Sequence, residues 1–235
     1  MDDKFKKFYA KVEKHGGWKQ VPAERVHSIF IEVLNPDAMG FVLAKRGYLT
    51  RQIDPDIFQV IKLDSLKGGA CGLSYGLSLS YVPYPYVPKL KWHRTVKSVS
   101  LDLREQPQVH LRDSRGKDAP ERLVASTMLG EKCLREELDS IWASCSPRIL
   151  AWFDSTRNFT GILAKCNEHL KRSSAEIKYL PGARLVRACT YAKLGRMTEA
   201  KEDLNTFLQE HGEDSDARAK LHAGLEQIVS ESARS

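Results

Sequence analysis

The sequence predicts an α+β fold: N-terminal helices plus an antiparallel sheet, followed by an all-helical C-terminal domain. Three observations predict it. Apolar residues recur every three to four positions up to about Asn35. Between about Gly47 and Leu103 the period shortens to two. Beyond Pro120 it returns to three and four, and no strand is expected there. Residues 105–120 are polar and rich in Asp, Arg, Gly and Pro, so a domain boundary is expected there. The two domains would be a basic α+β domain at 1–118 and a helical domain at 119–235. A chain of 235 residues, 42% hydrophobic and 29% charged, is long enough for these and too apolar to be disordered.

In the first helix, Asp2 to about His15, the residues Phe5, Phe8, Tyr9 and Val12 share one face, and Gly16-Gly17 stops it. Pro22-Ala23-Glu24 opens a second, with Val26, Ile29, Phe30, Val33 and Leu34 as its stripe, ending at Asn35-Pro36. Strands follow at Tyr48–Ile53, Ile57–Leu63 and Leu73–Val82, separated by turns at Asp54-Pro55-Asp56 and Lys67-Gly68-Gly69. In the third, Leu73, Tyr75, Leu77, Leu79 and Tyr81 face one way and Gly76, Ser78 and Ser80 the other, the pattern of a half-buried strand. A fourth is expected at Val96–Leu103.

Asp118-Ala119-Pro120-Glu121 reads as a helix start, with Asp at the cap and Glu three residues on. Leu134, Leu138, Ile141 and Trp142 form one stripe, and Ile149, Trp152 and Phe153 a second. Ile162, Leu163, Cys166 and Leu170 form a third. Helices at Gly182–Lys193 and Thr198–Gln209 are joined by Leu194-Gly195-Arg196-Met197, with Gly195 at the left-handed position and Thr198 at the cap. The order Tyr191, Gly195, Ala200 resembles a tetratricopeptide-type helical hairpin at about 182–210. That family keeps small residues where its two helices approach. Two positions depart from it: Arg187 stands where the pattern has an apolar residue, and Phe207 replaces an alanine.

The net charge is +7. Residues 1–100 carry 16 Lys and Arg against 9 Asp and Glu, while residues 101–235 carry 21 of each. The whole excess lies in the first part, which suits an acidic partner. No stretch nears the roughly 18 apolar residues of a membrane span. Met1-Asp2-Asp3-Lys4-Phe5-Lys6-Lys7 has no apolar run behind it, so no secretory signal is expected. Cys71, Cys133, Cys145, Cys166 and Cys189 are odd in number and widely spaced, which predicts buried free thiols and a cytoplasmic chain.

No catalytic, cofactor-binding or metal-binding residues are expected, and no cofactor. Gly68-Gly69-Ala70-Cys71-Gly72 lacks the Gly-Lys-Ser/Thr ending of a phosphate loop and reads as a hairpin turn. The seven histidines lack metal-ligand spacing, and no Gly-x-Ser-x-Gly elbow occurs.

The binding candidate is Tyr81-Val82-Pro83-Tyr84-Pro85-Tyr86-Val87-Pro88. Its three prolines exclude a central strand and predict an extended loop on the surface or at a sheet edge, the alternative being that Tyr84 and Tyr86 pack under the helical domain. Lys89-Leu90-Lys91-Trp92-His93-Arg94 follows and adds a basic row. Tyr84, Tyr86, Lys89, Lys91, Trp92 and Arg94 are therefore the expected partner contacts, since tyrosine, tryptophan and arginine give large contact area at low entropy cost.

The run from Val26 to Val82 pairs an amphipathic helix with Gly40-Phe41, Gly47-Tyr48, Thr50-Arg51 and a strand ending Leu-Ser-Leu-Ser-Tyr. It resembles a group of small bacterial α+β domains of unknown function, some of them encoded beside polymorphic toxins and taken as immunity proteins. The resemblance implies a protein-binding module that neutralises a toxin by binding it, with a protein partner such as a toxin domain and no membrane. The alternative is a nucleic-acid binder using the basic first domain. A second alternative is an enzyme whose motif is not recognised.

Overall fold

The computed structural model describes residues 3–84, 91–92, 95–112, 118–172, 182–211 and 215–233. Helices α1 (Asp3–Lys14) and α2 (Ala23–Leu34) open the chain, as the periodicity predicts. On α2, Val26, Ile29, Phe30 and Leu34 are buried. Asn35 ends α2 in the left-handed region, its N–H donating to the Ile31 carbonyl. A short 3-10 turn, Pro36–Met39, closes at Gly40, also left-handed.

Strands β1 (Val42–Lys45), β2 (Tyr48–Asp54), β3 (Ile57–Leu66) and β4 (Ala70–Leu79) follow. Two more strands, β5 (Pro83–Tyr84) and β6 (Lys91–Trp92), form a small antiparallel ribbon. Then come β7 (Leu103–Glu105), β8 (Gln108–Arg112), β9 (Asp118–Arg122) and β10 (Val124–Ser126). The main antiparallel sheet has six strands in the order β1-β2-β3-β4-β10, with β7 also pairing β4. β8 pairs β9 in a second ribbon.

The helical remainder is α3 (Gly130–Ser155), α4 (Phe159–Lys171), α5 (Gly182–Lys193), α6 (Met197–His211) and α7 (Ser215–Ser232). Among the described residues no helix is long and apolar enough to cross a membrane. The chain divides into two compact units, neither continuous in sequence. The first comprises 1–49, 61–75 and 105–150, and the second 50–60, 76–104 and 151–235.

Several expectations need correction. β4 is buried on both faces, Ser74 and Ser78 as fully as Leu73 and Leu77, so it is not half-buried. Its small residues serve close approach within the second unit. A Cβ on Gly76 would lie 1.9 Å from the Leu103 carbonyl oxygen, and Ser78 Oγ accepts the Ser100 N–H. The segment expected as a strand from Val96 is instead a 3-10 turn, Val96–Ser98, with β7 beginning at Leu103. Thr95 and Ser98 cap each other reciprocally there, offering the backbone an alternative to a ladder.

Strands also extend beyond the expected window, at β1 and at β8, β9 and β10. Asp118 does not cap a helix. It begins β9, pairs with Arg112, and the helix starts at Gly130. Pro120 is tolerated because β9 belongs to a two-stranded ribbon, where a missing donor can face away from the partner.

The stripes around Leu138 and Phe153 belong to one 26-residue helix, α3, which runs on through Pro147. Cys145 joins them, so that Leu134, Leu138, Ile141, Cys145, Ile149 and Trp152 are buried in continuous three- and four-residue steps. On α4 the buried residue of the last turn is His169, with Leu170 half-buried. Asn158 caps α4 by accepting the Gly161 N–H at 2.9 Å.

The α5–α6 hairpin forms as predicted, with Gly195 left-handed at the turn. α6 starts one residue earlier than expected, at Met197. Arg196 precedes it, stacked on Tyr191 and bonded to Glu199. Ala200 is fully buried, as a close helix approach requires. The five cysteines are buried and free. Burial pushes the Cys145 thiol up to about 11 and those of Cys166 and Cys189 further in the same direction.

Candidate functional site

The proline–tyrosine segment begins inside the protein, not on its surface. Tyr81, Val82 and Pro83 are buried. The Tyr81 ring meets Phe159 of α4 edge-on, with centroids 5.7 Å apart, and its hydroxyl lies 3.2 Å from Thr190 Oγ1 of α5. Burial raises the Tyr81 phenol well above its ordinary range, so it stays neutral. An aromatic that continues the buried face of β4 has found a partner for its one polar atom, which explains its place.

After Pro83 the chain turns back on itself. Pro83 pairs with Trp92 and Tyr84 with Lys91 in the β5–β6 ladder. Trp92 is half-buried. Of the other expected contacts, Tyr86, Lys89 and Arg94 lie outside the described residues, as do the side chains of Tyr84 and Lys91. The structure therefore brings Tyr84, Lys91 and Trp92 onto one ribbon.

A second surface, in the first unit, escaped the sequence reading. Phe41 is fully buried, and the two residues after it emerge onto β1, the outer strand of the sheet. Val42 and Leu43 are 54% and 55% exposed. Gly47, at φ +72°, closes the tight turn into β2, and a Cβ there would lie 3.0 Å from the His27 ring.

Next to this edge the Tyr48 ring gathers two ammonium groups, Lys45 Nζ at 4.3 Å and Lys62 Nζ at 5.3 Å from its centroid. Burial, then the neighbouring charge of Lys62, lowers the Lys45 ammonium. Burial also opposes the charge on Lys62, but Asp64, 2.9 Å away, more than offsets it and the net shift is upward. Asp64 in turn accepts from the Ser74 hydroxyl. The signal in the sequence was Phe41-Val42-Leu43-Ala44, a short apolar run between Gly40 and Gly47.

The first unit also holds a concave basic surface of about 490 Å³ where the end of α1 meets the start of α3. Lys14, His15, Lys19 and Lys132 line it together with Glu131 and Glu136. Lys19 is held in place by its backbone. Its N–H donates to the Met128 carbonyl, and its carbonyl accepts the Gly130 N–H at 2.8 Å. Part of Glu131's charge is already committed to Arg25, at 2.8 Å.

Among the described residues no group of His, Cys, Asp and Glu could hold a metal ion. Comparison of the chain with protein-family models, with curated proteins and with solved structures finds no match.

Proposed function

We propose that this chain is a protein-binding module, and more specifically an immunity-type protein that neutralises a toxin by occupying it. One observation carries the reading: an outer strand, β1, that leaves two adjacent apolar side chains exposed. An outer strand is a template for another chain, and although β1 is short and ends in Lys45, its Val42–Leu43 end carries neither proline nor charge. An extended segment of a partner adds to such an edge by main-chain hydrogen bonds. The β5–β6 ribbon, which carries Tyr84, Lys91 and Trp92, is a second contact in this reading, together with Tyr86, Lys89 and Arg94 of the same stretch of sequence.

The test is to express each protein encoded beside the gene with and without this chain, with growth as the readout; a neighbour toxic on its own is expected, and its absence overturns the immunity reading. The parent chain should restore growth, and the double variant Val42→Asp, Leu43→Asp should not, provided it melts like the parent. A parent chain that neither binds that toxin nor protects against it overturns the immunity reading. Capture of nucleic acid that falls log-linearly with salt would favour the nucleic-acid alternative instead.

A further inference from the structure

The position of β1 also constrains what its partner must look like, and this inference rests on the protein-binding reading above. Side chains alternate along a strand, so Leu43 and Lys45 share one face and Val42 and Ala44 the other. The face of Lys45 also carries the ring it stacks on, Tyr48, and beyond that Lys62. Lys62 is paired with Asp64, so the charge this stretch presents toward solvent is that of Lys45, which is exposed. The other end of β1 is apolar on both faces, through Val42 and Leu43.

We propose that β1 docks an extended segment of a protein partner that carries an acidic residue opposite Lys45 and apolar residues opposite Leu43 and Val42. Directly opposed residues in an antiparallel pair have Cβ atoms about 5 Å apart, close enough for opposite charges or two apolar groups to meet. The antiparallel partner runs against β1, so its residues are met in the order 45, 44, 43, 42. Its motif is therefore acidic–any–apolar–apolar. Charge chooses the register, since a slip of one residue would take the acidic side chain away from Lys45 and turn every side chain to the other face. Main-chain hydrogen bonds to the outer edge supply most of the affinity.

The experiment titrates the full chain with two capped octapeptides, one containing Glu-Thr-Ile-Val between threonines and the other with Lys in place of Glu. Amide hydrogen exchange reads out the site. The acidic peptide should slow exchange at alternate amides of Val42–Lys45 and bind about tenfold more tightly than the lysine peptide, the preference expected from exchanging an exposed attraction for a repulsion. In Lys45→Glu the preference should reverse, and in Lys45→Gln it should vanish, with each variant melting like the parent. Equal protection of β1 by both peptides in the parent overturns the acidic requirement and leaves strand addition standing. Protection elsewhere, or by neither peptide, overturns docking at β1, while the growth assay above judges protein binding by any other surface.

Discussion

The α5–α6 hairpin and the β1 edge each hold charged side chains at an uncommon place, and they handle them differently. In the hairpin, Arg187 occupies a position where the tetratricopeptide pattern is apolar. The structure answers it with Asp203, 7% exposed on α6, which takes the guanidinium through two hydrogen bonds. Asn167 of α4 accepts a further bond from Arg187 at 2.6 Å. The hydrogen bonds that Arg187 donates to Asp203, with the carboxylate's charge, raise the guanidinium above its ordinary value. Here the charge is enclosed and matched, and its partner lies sixteen residues along the chain. At β1 the Tyr48 ring carries two ammonium groups, Lys62, which Asp64 pairs, and Lys45, exposed on an outer strand. A matched pair between two helices fixes how they pack, whereas a charge on an outer strand is held by its neighbours on one side only.

The largest effect should come from unmatching the interior pair. Asp203→Ala leaves the half-buried Arg187 guanidinium without its carboxylate and should cost about 2 kcal/mol in chemical denaturation. Loss of less than about 1 kcal/mol would place Arg187 with the exposed charges and erase the distinction.

A carboxylate satisfied without any cation gives the next largest effect. Asp102 is buried and accepts the Leu79 N–H at 2.7 Å and the Ser100 hydroxyl at 2.8 Å. Burial outweighs both bonds and lifts it from an ordinary 3.8 to about 7. Between those two values the folded chain keeps a proton that the unfolded chain has lost. Stability should therefore be greatest below about pH 4 with respect to this group, fall as pH rises to about 7, and level off above. Asp102→Asn should flatten that part of the pH profile of melting temperature. An unchanged slope in the variant would assign the dependence to other groups.

Replacing both interior partners should do little. Arg187→Met with Asp203→Leu restores the apolar pattern and should lie within about 1 kcal/mol of the parent, because well-packed apolar residues often match a buried ion pair. A double variant as unstable as Asp203→Ala would show that the pair, not the packing, holds α5 to α6. Smallest of all, Lys45→Gln should change stability by less than about 0.5 kcal/mol, since the ammonium is exposed at a strand edge. A larger loss would make the Lys45–Tyr48 stack structural.

Sequence periodicity alone located α1, α2, the β2–β3–β4 meander and the α5–α6 hairpin, because each is defined by contacts among residues near in sequence and by glycine or proline punctuation. It also placed four of the five thiols among apolar neighbours in helices, and the structure keeps all five buried and free. What only the tertiary structure decided are the features made by residues far apart. β10 joins the sheet because Val124 meets Gly72, and nothing local in Val124–Ser126 marks it as a strand. The polar stretch before it is a ribbon because Gln108 finds Arg122 across it. Tyr81 turns inward because Thr190 and Phe159 are there to receive it, so the aromatic run that read as surface begins as core. Asp203 became legible as the partner of Arg187 only once two helices stood side by side. The exposure of Val42 and Leu43 is likewise a property of sheet order: the same two apolar letters would be core in a central strand and stand exposed in an outer one.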